Sequence, residues 1–299
     1  MSFSRPARSP RRARCRPTRR CGLGFPQREQ AEPLRANHFP YFDGARPIAM
    51  AHRGGADYGP NAGLENSLTA FRNAVSLGYR YLETDVHATA DGTVVAFHDP
   101  RLDRVTDASG AIADLPWSVV SQARIGGTEP APTLDELLET FPDTRFNIDI
   151  KADTALEPTI EVITRHGALD RVCVGSFSER RVRAARRLAG PRLATAAGQV
   201  GTGALRLAPG MMSRLLHTPA PVLQIPLMHT VAGRRVTLVT PALLGVVHRL
   251  GKQVHVWFDT GHDETPQEMH RLLDLGVDGL VVDRIDVLRE VLRARDAKA

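Results

Sequence analysis

AHRGG (Ala51–Gly55) and YLETDVHATADGTVVAFHD (Tyr81–Asp99) bracket Glu65-Asn66-Ser67 and set histidines, acids and an arginine at the ends of two adjacent predicted strands. Residues i and i+2 of a strand face the same way, so Glu83 and Asp85 form a fixed pair of oxygen donors on one face. Hard divalent cations take ligands of that kind. Asp91-Gly92 suits a tight hairpin, whereas a parallel return would need a dozen or more residues. Val94–His98 is therefore expected to fold back antiparallel on Tyr81–His87.

Outward from this stretch, short β-rich runs alternate with amphipathic helical ones, the pattern of parallel strands joined by crossover helices. Ile48–Arg53, Tyr81–His87, Val94–His98, Arg145–Lys151, Val172–Phe177, Arg192–Thr195, Val222–Pro226, Gln253–Phe258 and Gly279–Asp283 are the candidate strands. Setting aside the hairpin partner leaves eight, the count of a (β/α)8 TIM barrel, and 299 residues suit one such domain. Asn66 or Ser67 caps a helix over Leu68–Leu77 that stops at Gly78. Thr133 caps Leu134–Phe141, and Thr265 or Pro266 opens a helix through Leu275 that stops at Gly276. Pro100–Pro132 is expected to form a loop or small helical insertion over the site.

The net charge of +6 suggests nucleic acid only until it is located. Residues 1–38 hold ten arginines against Glu29 and Glu32, or +8, which leaves −2 for the rest. The folded part is not basic, and no nucleic-acid partner is expected. Residues 1–38 read as a disordered basic tail and 39–299 as the barrel domain. The tail lacks the apolar run of a signal peptide, and after Arg19-Arg20 the segment Cys21–Pro26 is too short for a twin-arginine export signal. No integral membrane segment is expected. Cys15, Cys21 and Cys173 make neither a disulfide framework nor a metal spacing, which points to a reducing, cytoplasmic setting, free or peripheral to the membrane. Oligomeric state is not legible.

Active sites of such barrels lie at the C-terminal ends of the strands. His52 and Arg53 end the first strand, Glu83 and Asp85 lie on the second, and Asp149 and Lys151 end the strand that starts at Arg145. Taken singly, each residue has a structural reading: a core histidine, a helix-start acid in Glu65, a buried Asp149–Lys151 pair. Together at one mouth they suit a divalent cation beside a cationic anion clamp, with imidazoles that exchange protons near neutral pH. Zinc fits less well, because acids outnumber nitrogen donors and His87 borders the turn; Mg2+ or Ca2+ suits oxygen ligands better, with Mn2+ a further option.

These residues resemble the signature of the glycerophosphodiester phosphodiesterase family, relatives of phosphatidylinositol-specific phospholipases C on a distorted (β/α)8 barrel. Asn147–Lys151, Ser176-Phe177, Val254–Trp257, Gly276–Gly279 and Asp283-Arg284 extend the resemblance over roughly residues 46–293. It implies His52 and His98 as the acid–base pair and Glu83, Asp85 and Asp149 as metal ligands. Arg53 and Lys151 would grip the phosphate, Glu65 would orient Arg53 or join the metal shell, and Trp257 would wall the glycerol end. The implied reaction is hydrolysis of a small-molecule glycerophosphodiester to sn-glycerol 3-phosphate and an alcohol. The alternatives are lysophospholipid or sphingolipid head-group hydrolysis, with apolar surface from Leu205–Met228, and a non-enzymatic phosphate-binding domain. Asp149 stands where the family usually has Glu, a carboxylate pulled back by about 1.5 Å, one C–C bond. Phe258 replaces a frequent Thr beside Trp257, which leaves the pocket's shape open.

Overall fold

Alternation along the strands decides what each face meets, and the computed structural model, which describes Met1 and residues 34–197, 218–231, 234–258 and 263–297, shows both faces covered. The strands of the main sheet are β1 (Ile48–Ala51), β2 (Tyr81–Ala88), β3 (Val94–Ala96), β4 (Arg145–Ile150), β5 (Val172–Gly175), β6 (Ala194–Thr195), β7 (Val222–Pro226), β8 (Gln253–Trp257) and β9 (Gly279–Val282). Eight run parallel in the order β6-β5-β4-β2-β1-β9-β8-β7. A parallel bridge from Ala196 to Val222 joins the two ends, with the Ala197 N–H donating to the Val222 carbonyl at 2.9 Å. The sheet is thus a closed eight-stranded barrel, as the strand count requires. β3 is the antiparallel hairpin partner of β2, with Val86 opposite Ala96.

Seven helices of the barrel's outer layer are described, six between strands and one after the last: α1 (Leu68–Ser76), α2 (Leu134–Thr140), α3 (Leu156–Arg165), α4 (Glu179–Ala189), α5 (Pro241–Arg249), α6 (Pro266–Leu275) and α7 (Ile285–Asp296). Their starts follow the expected chemistry. Ser67 accepts from the Ala70 N–H at 3.1 Å, Thr133 forms a capping box with Glu136, and Thr265 accepts from the Glu268 N–H at 3.2 Å. The connection from β6 to β7 includes residues 198–217, so most of Leu205–Met228, with Met211-Met212 and Leu215-Leu216, lies outside the described residues.

Outward-facing Leu82, Val86, Phe146, Ile148, Ile150, Val174 and Val256 bury against Phe71, Leu137, Ile163, Val247 and Leu272 from the helices. The lumen is layered. Its floor is apolar, built from Ile48, Met50, Tyr81, Cys173, Ala194, Val222 and Val281. Phe39, Tyr41 and Phe42, from the chain just before β1, join this floor; Tyr41 packs edge-on to Tyr81 with ring centroids 5.4 Å apart. Ala36 is buried there too and Leu34 packs against the same cluster, so described residues before position 39 pack with the barrel. Residues 2–33 lie outside the described residues.

The insertion after β3 carries its own apolar cluster, including Phe97, Leu102, Ile112, Val120 and Ile125. A helical turn at Trp117–Val120 and a ribbon pairing Arg124–Ile125 with Glu129–Pro130 complete it. Among the described residues no helix is long and apolar enough to cross a membrane.

Tyr41 is fully buried and its hydroxyl has no hydrogen-bond partner. Loss of the ring leaves a cavity in the floor, so Tyr41→Ala is expected to cost about 3–5 kcal/mol in urea unfolding. Tyr41→Phe removes an unsatisfied polar atom and is expected to be neutral or stabilising. A Tyr41→Phe protein destabilised by more than about 1 kcal/mol would show that the hydroxyl is satisfied after all.

Candidate active site

β1 ends at Ala51 and breaks at once into a tight turn over His52–Gly54. Within it Arg53 adopts φ +49°, a left-handed conformation costly for a residue with a side chain. Its N–H donates to Glu83 Oε2 at 3.1 Å and its carbonyl accepts from the Asn66 N–H at 2.9 Å, which hold it there. Gly54 follows at φ +86°; a Cβ there would lie 2.9 Å from that of Ala70, so glycine lets the turn rest on α1. The Asn66 side chain accepts from Thr84 Oγ1 at 2.8 Å and reaches Asp85 Oδ2 at 3.5 Å. The turn and the second strand are therefore tied by side chains as well as by backbone.

The parallel register of β2 and β4 sets Asp85 opposite Asp149 and Glu83 opposite Asn147. All four face the lumen above the apolar floor. Lys151 Nζ lies between two of the acids, 2.7 Å from Asp85 Oδ1 and 2.8 Å from Asp149 Oδ2. Arg53 Nε is 3.2 Å from Asp85 Oδ2. Burial opposes the Asp85 charge, but Lys151 and Arg53 outweigh it and hold this carboxyl below the usual range. Glu83 has less cationic company; burial, then the Asp85 charge, pushes it up to about 7. Among the described residues no three His, Cys, Asp or Glu side chains are drawn together as a metal-ligand cluster. Lys151 and Arg53 supply the positive charge among these acids instead. Asp149 Oδ1 is buried without a hydrogen-bond partner.

The two sequence-predicted catalytic histidines share a design. His52 Nδ1 donates to Asp283 Oδ1 at 2.9 Å, and its Nε2 lies 3.8 Å from Glu83 Oε2. Burial disfavours the imidazolium, yet Glu83 and Asp283 prevail and raise the His52 pKa to about 9. His98 Nδ1 lies 2.6 Å from Asp99 Oδ1. Hydrogen bonds from Arg104, foremost, hold Asp99 at about 2. His87 is not part of this set: its Nε2 meets the His98 carbonyl at 3.1 Å, the turn-bordering position its sequence suggests.

Glu65 lies 3.4 Å from Arg53 Nη1, so it orients that guanidinium. Trp257 stacks edge-on to Phe177, centroids 6.3 Å apart, and Lys151 Nζ lies 5.8 Å from the Phe177 ring centre. An aromatic corner therefore adjoins the cationic end of the site. Phe258, by contrast, is buried among the helix-facing core.

Three contributors escape sequence reasoning about the site. Asp283 belongs to a quoted motif, but its partnership with His52 spans 231 positions. Buried Glu264 accepts from the Asp283 and Arg284 N–H groups at 2.9 and 2.7 Å and so shapes the loop that presents Asp283. Arg104 sits in the insertion, where no strand or helix period marks it.

Comparison with known proteins bears on the family and the fold. Residues 52–287 match the model of the glycerophosphoryl diester phosphodiesterase family. A Mycobacterium tuberculosis protein described as probable glycerophosphodiester phosphodiesterase 2 is 44% identical over 252 residues, covering 83% of this chain and 91% of its own. A human lysophospholipase D is 29% identical over 276 residues, covering 81% and 85%. Among solved structures, an Oleispira antarctica phosphodiesterase in complex with the product sn-glycerol-3-phosphate superposes with a TM-score of 0.67 at 22% identity, covering 84% of this chain and 97% of its own. At that identity the likeness concerns the fold.

Because the folded His52 pKa of about 9 lies above the ordinary 6.5, its contribution to stability is complete below pH 6.5 and is lost as pH rises through 9. In chelator-treated protein, Asp283→Asn is expected to bring the His52 titration, followed by NMR, from about 9 towards 6.5 and to flatten that loss. A titration that stays near 9 would show that Asp283 does not hold the proton.

Proposed function

The chain belongs to the glycerophosphoryl diester phosphodiesterase family, and from that we propose that it hydrolyses glycerophosphodiesters to sn-glycerol 3-phosphate and a free alcohol, with His52 and His98 as acid and base. The observation that carries this reading is the pair of imidazoles at the C-terminal strand ends, each tied through Nδ1 to a carboxylate, with the Nε2 of His52 facing Glu83 at 3.8 Å.

The roles follow from the surroundings. His52, kept protonated by Glu83 and Asp283, gives its proton to the departing alcohol oxygen. His98, held by Asp99, takes the proton of the attacking hydroxyl. Lys151 has three N–H donors, of which two meet Asp85 and Asp149; the third is available to a phosphate oxygen. Arg53 offers its remaining guanidinium N–H groups to the same anion, a planar fork beside a point charge. Trp257 and Phe177 form the apolar wall against which the carbon skeleton of the diester lies.

The donor types suit a hard divalent cation, three carboxylates from adjacent strands with Asp149 Oδ1 buried and unpartnered, although Lys151 stands between two of them. Glu83, Asp85 and Asp149 would hold Mg2+ or Ca2+, or Mn2+, and Asp149 reaches less far than a Glu would. Such an ion supplies positive charge that polarises the phosphate and acidifies the attacking hydroxyl. Cysteine usage favours a reducing, cytoplasmic setting, free or peripheral to the membrane, with small-molecule glycerophosphodiesters as substrates.

Purified protein is expected to release sn-glycerol 3-phosphate from glycerophosphocholine, to lose the activity on chelation, and to regain it with Mg2+, Ca2+ or Mn2+ added in turn. His52→Ala and His98→Ala are each expected to lower turnover by about 10²–10⁴-fold. Activity indifferent to chelation would refute the carboxylate site, and unchanged turnover of His52→Ala would refute the acid. Faster hydrolysis of lysophosphatidylcholine than of glycerophosphocholine would overturn the substrate class. A cyclic phosphate seen by phosphorus NMR in a single turnover would identify the glycerol 2-hydroxyl as the nucleophile, and its absence would identify water.

A further inference from the structure

Arg104 enters the site from outside the barrel. It follows β3 in a short turn over Leu102–Arg104, within the insertion that packs around its own apolar cluster. Its guanidinium makes hydrogen bonds to two carboxylates at once. Nε and Nη2 reach Asp99 Oδ2 and Oδ1 at 2.6 and 3.2 Å, and Nη1 and Nη2 reach Glu65 Oε2 and Oε1 at 3.0 and 2.6 Å. Both acceptors are thus engaged in bidentate fashion, the arrangement for which a planar fork is suited and an ammonium is not.

What lies behind each carboxylate matters more than the pairs themselves. Asp99 Oδ1 also touches His98 Nδ1 at 2.6 Å, and Glu65 Oε1 also touches Arg53 Nη1 at 3.4 Å. One side chain therefore sits behind both the proposed base and the proposed phosphate clamp. The Arg104 side chain is 47% exposed and outside the main core, so its four hydrogen bonds contribute little to global stability. They do restrict where Asp99 and Glu65 can point. Each of these acids has rotatable bonds of its own, and a small misplacement of a catalytic group is costly to rate.

We propose that Arg104 is a positioning residue that couples the insertion to the site, aligning His98 through Asp99 and Arg53 through Glu65. This rests on the function proposed above for His98 and Arg53. The two limbs act on different kinetic quantities: the Asp99 limb on kcat, because His98 moves a proton, and the Glu65 limb on KM, because Arg53 binds the phosphate.

The test is a set of double-mutant cycles with glycerophosphocholine as substrate. Arg104→Met is expected to lower kcat by about 10–100-fold and to raise KM, with thermal unfolding unchanged. In the Asp99→Asn background, Arg104→Met no longer lowers kcat; in the Glu65→Gln background, it no longer raises KM. Arg104→Lys, which can serve only one carboxylate at a time, restores one of the two quantities and not both. Effects that simply multiply with those of Asp99→Asn and Glu65→Gln, or a change in kcat below 3-fold, would overturn the proposal. A wild-type protein inactive on the diester would count against the proposed reaction instead. The positioning would then be read without activity, from the ring 15N resonances of His98 in wild type and Arg104→Met: a shift supports it, and identical spectra overturn it.

Discussion

The placement of one ammonium group between two carboxylates governs the upper half of this barrel. β2 and β4 run in a register that sets Asp85 beside Asp149, both facing a lumen closed to most water. Like charges so placed cannot both remain ionised without a cation among them. Lys151, one residue beyond β4, supplies it with short contacts to both, and Arg53 supports the far oxygen of Asp85. Glu83 has no such short contact with Lys151, and burial together with the neighbouring Asp85 charge pushes its carboxyl up to about 7, while Lys151 and Arg53 hold that of Asp85 low.

The rest of the site can be understood as layers around that charge balance. Below it, Tyr41, Phe42, Met50, Tyr81 and Val281 make an apolar floor that keeps water from entering underneath. Between floor and mouth, Gln224 donates to Asn147 at 2.8 Å, so a neutral polar pair separates the apolar layer from the charged one. Above, the histidines are fixed by carboxylates that come from loops, where their positions depend on tertiary contacts.

That division explains what was legible in the sequence. The eight barrel strands, the β3 hairpin and the caps at Ser67, Thr133 and Thr265 depend on local patterns of period and turn chemistry, and they are where those patterns put them. Glu83, Asp85, Asp149 and Lys151 were legible as a group because strand alternation and parallel register are simple rules. Asp283, Glu264 and Arg104 were not, because each acts across a distance along the chain that no local period encodes. Between the basic tail and the barrel, arginine-rich composition masks Ala36, an apolar residue that packs beneath the barrel beside Phe39. Phe258 belongs to the helix-facing cluster, while its neighbour Trp257 packs on the lumen side.

The seam of the barrel lies between its first and last strands, β1 and β9, paired from Ile48–Gly279 to Ala51–Val282. Immediately beyond the seam stand His52 on one side and Asp283 on the other. During synthesis the first of these leaves the ribosome more than two hundred residues before the second. A nascent or truncated chain that lacks the final strand therefore has neither a closed lumen nor an oriented His52. The contact that orients His52 therefore waits on the strand that carries Asp283, however early His52 itself is made.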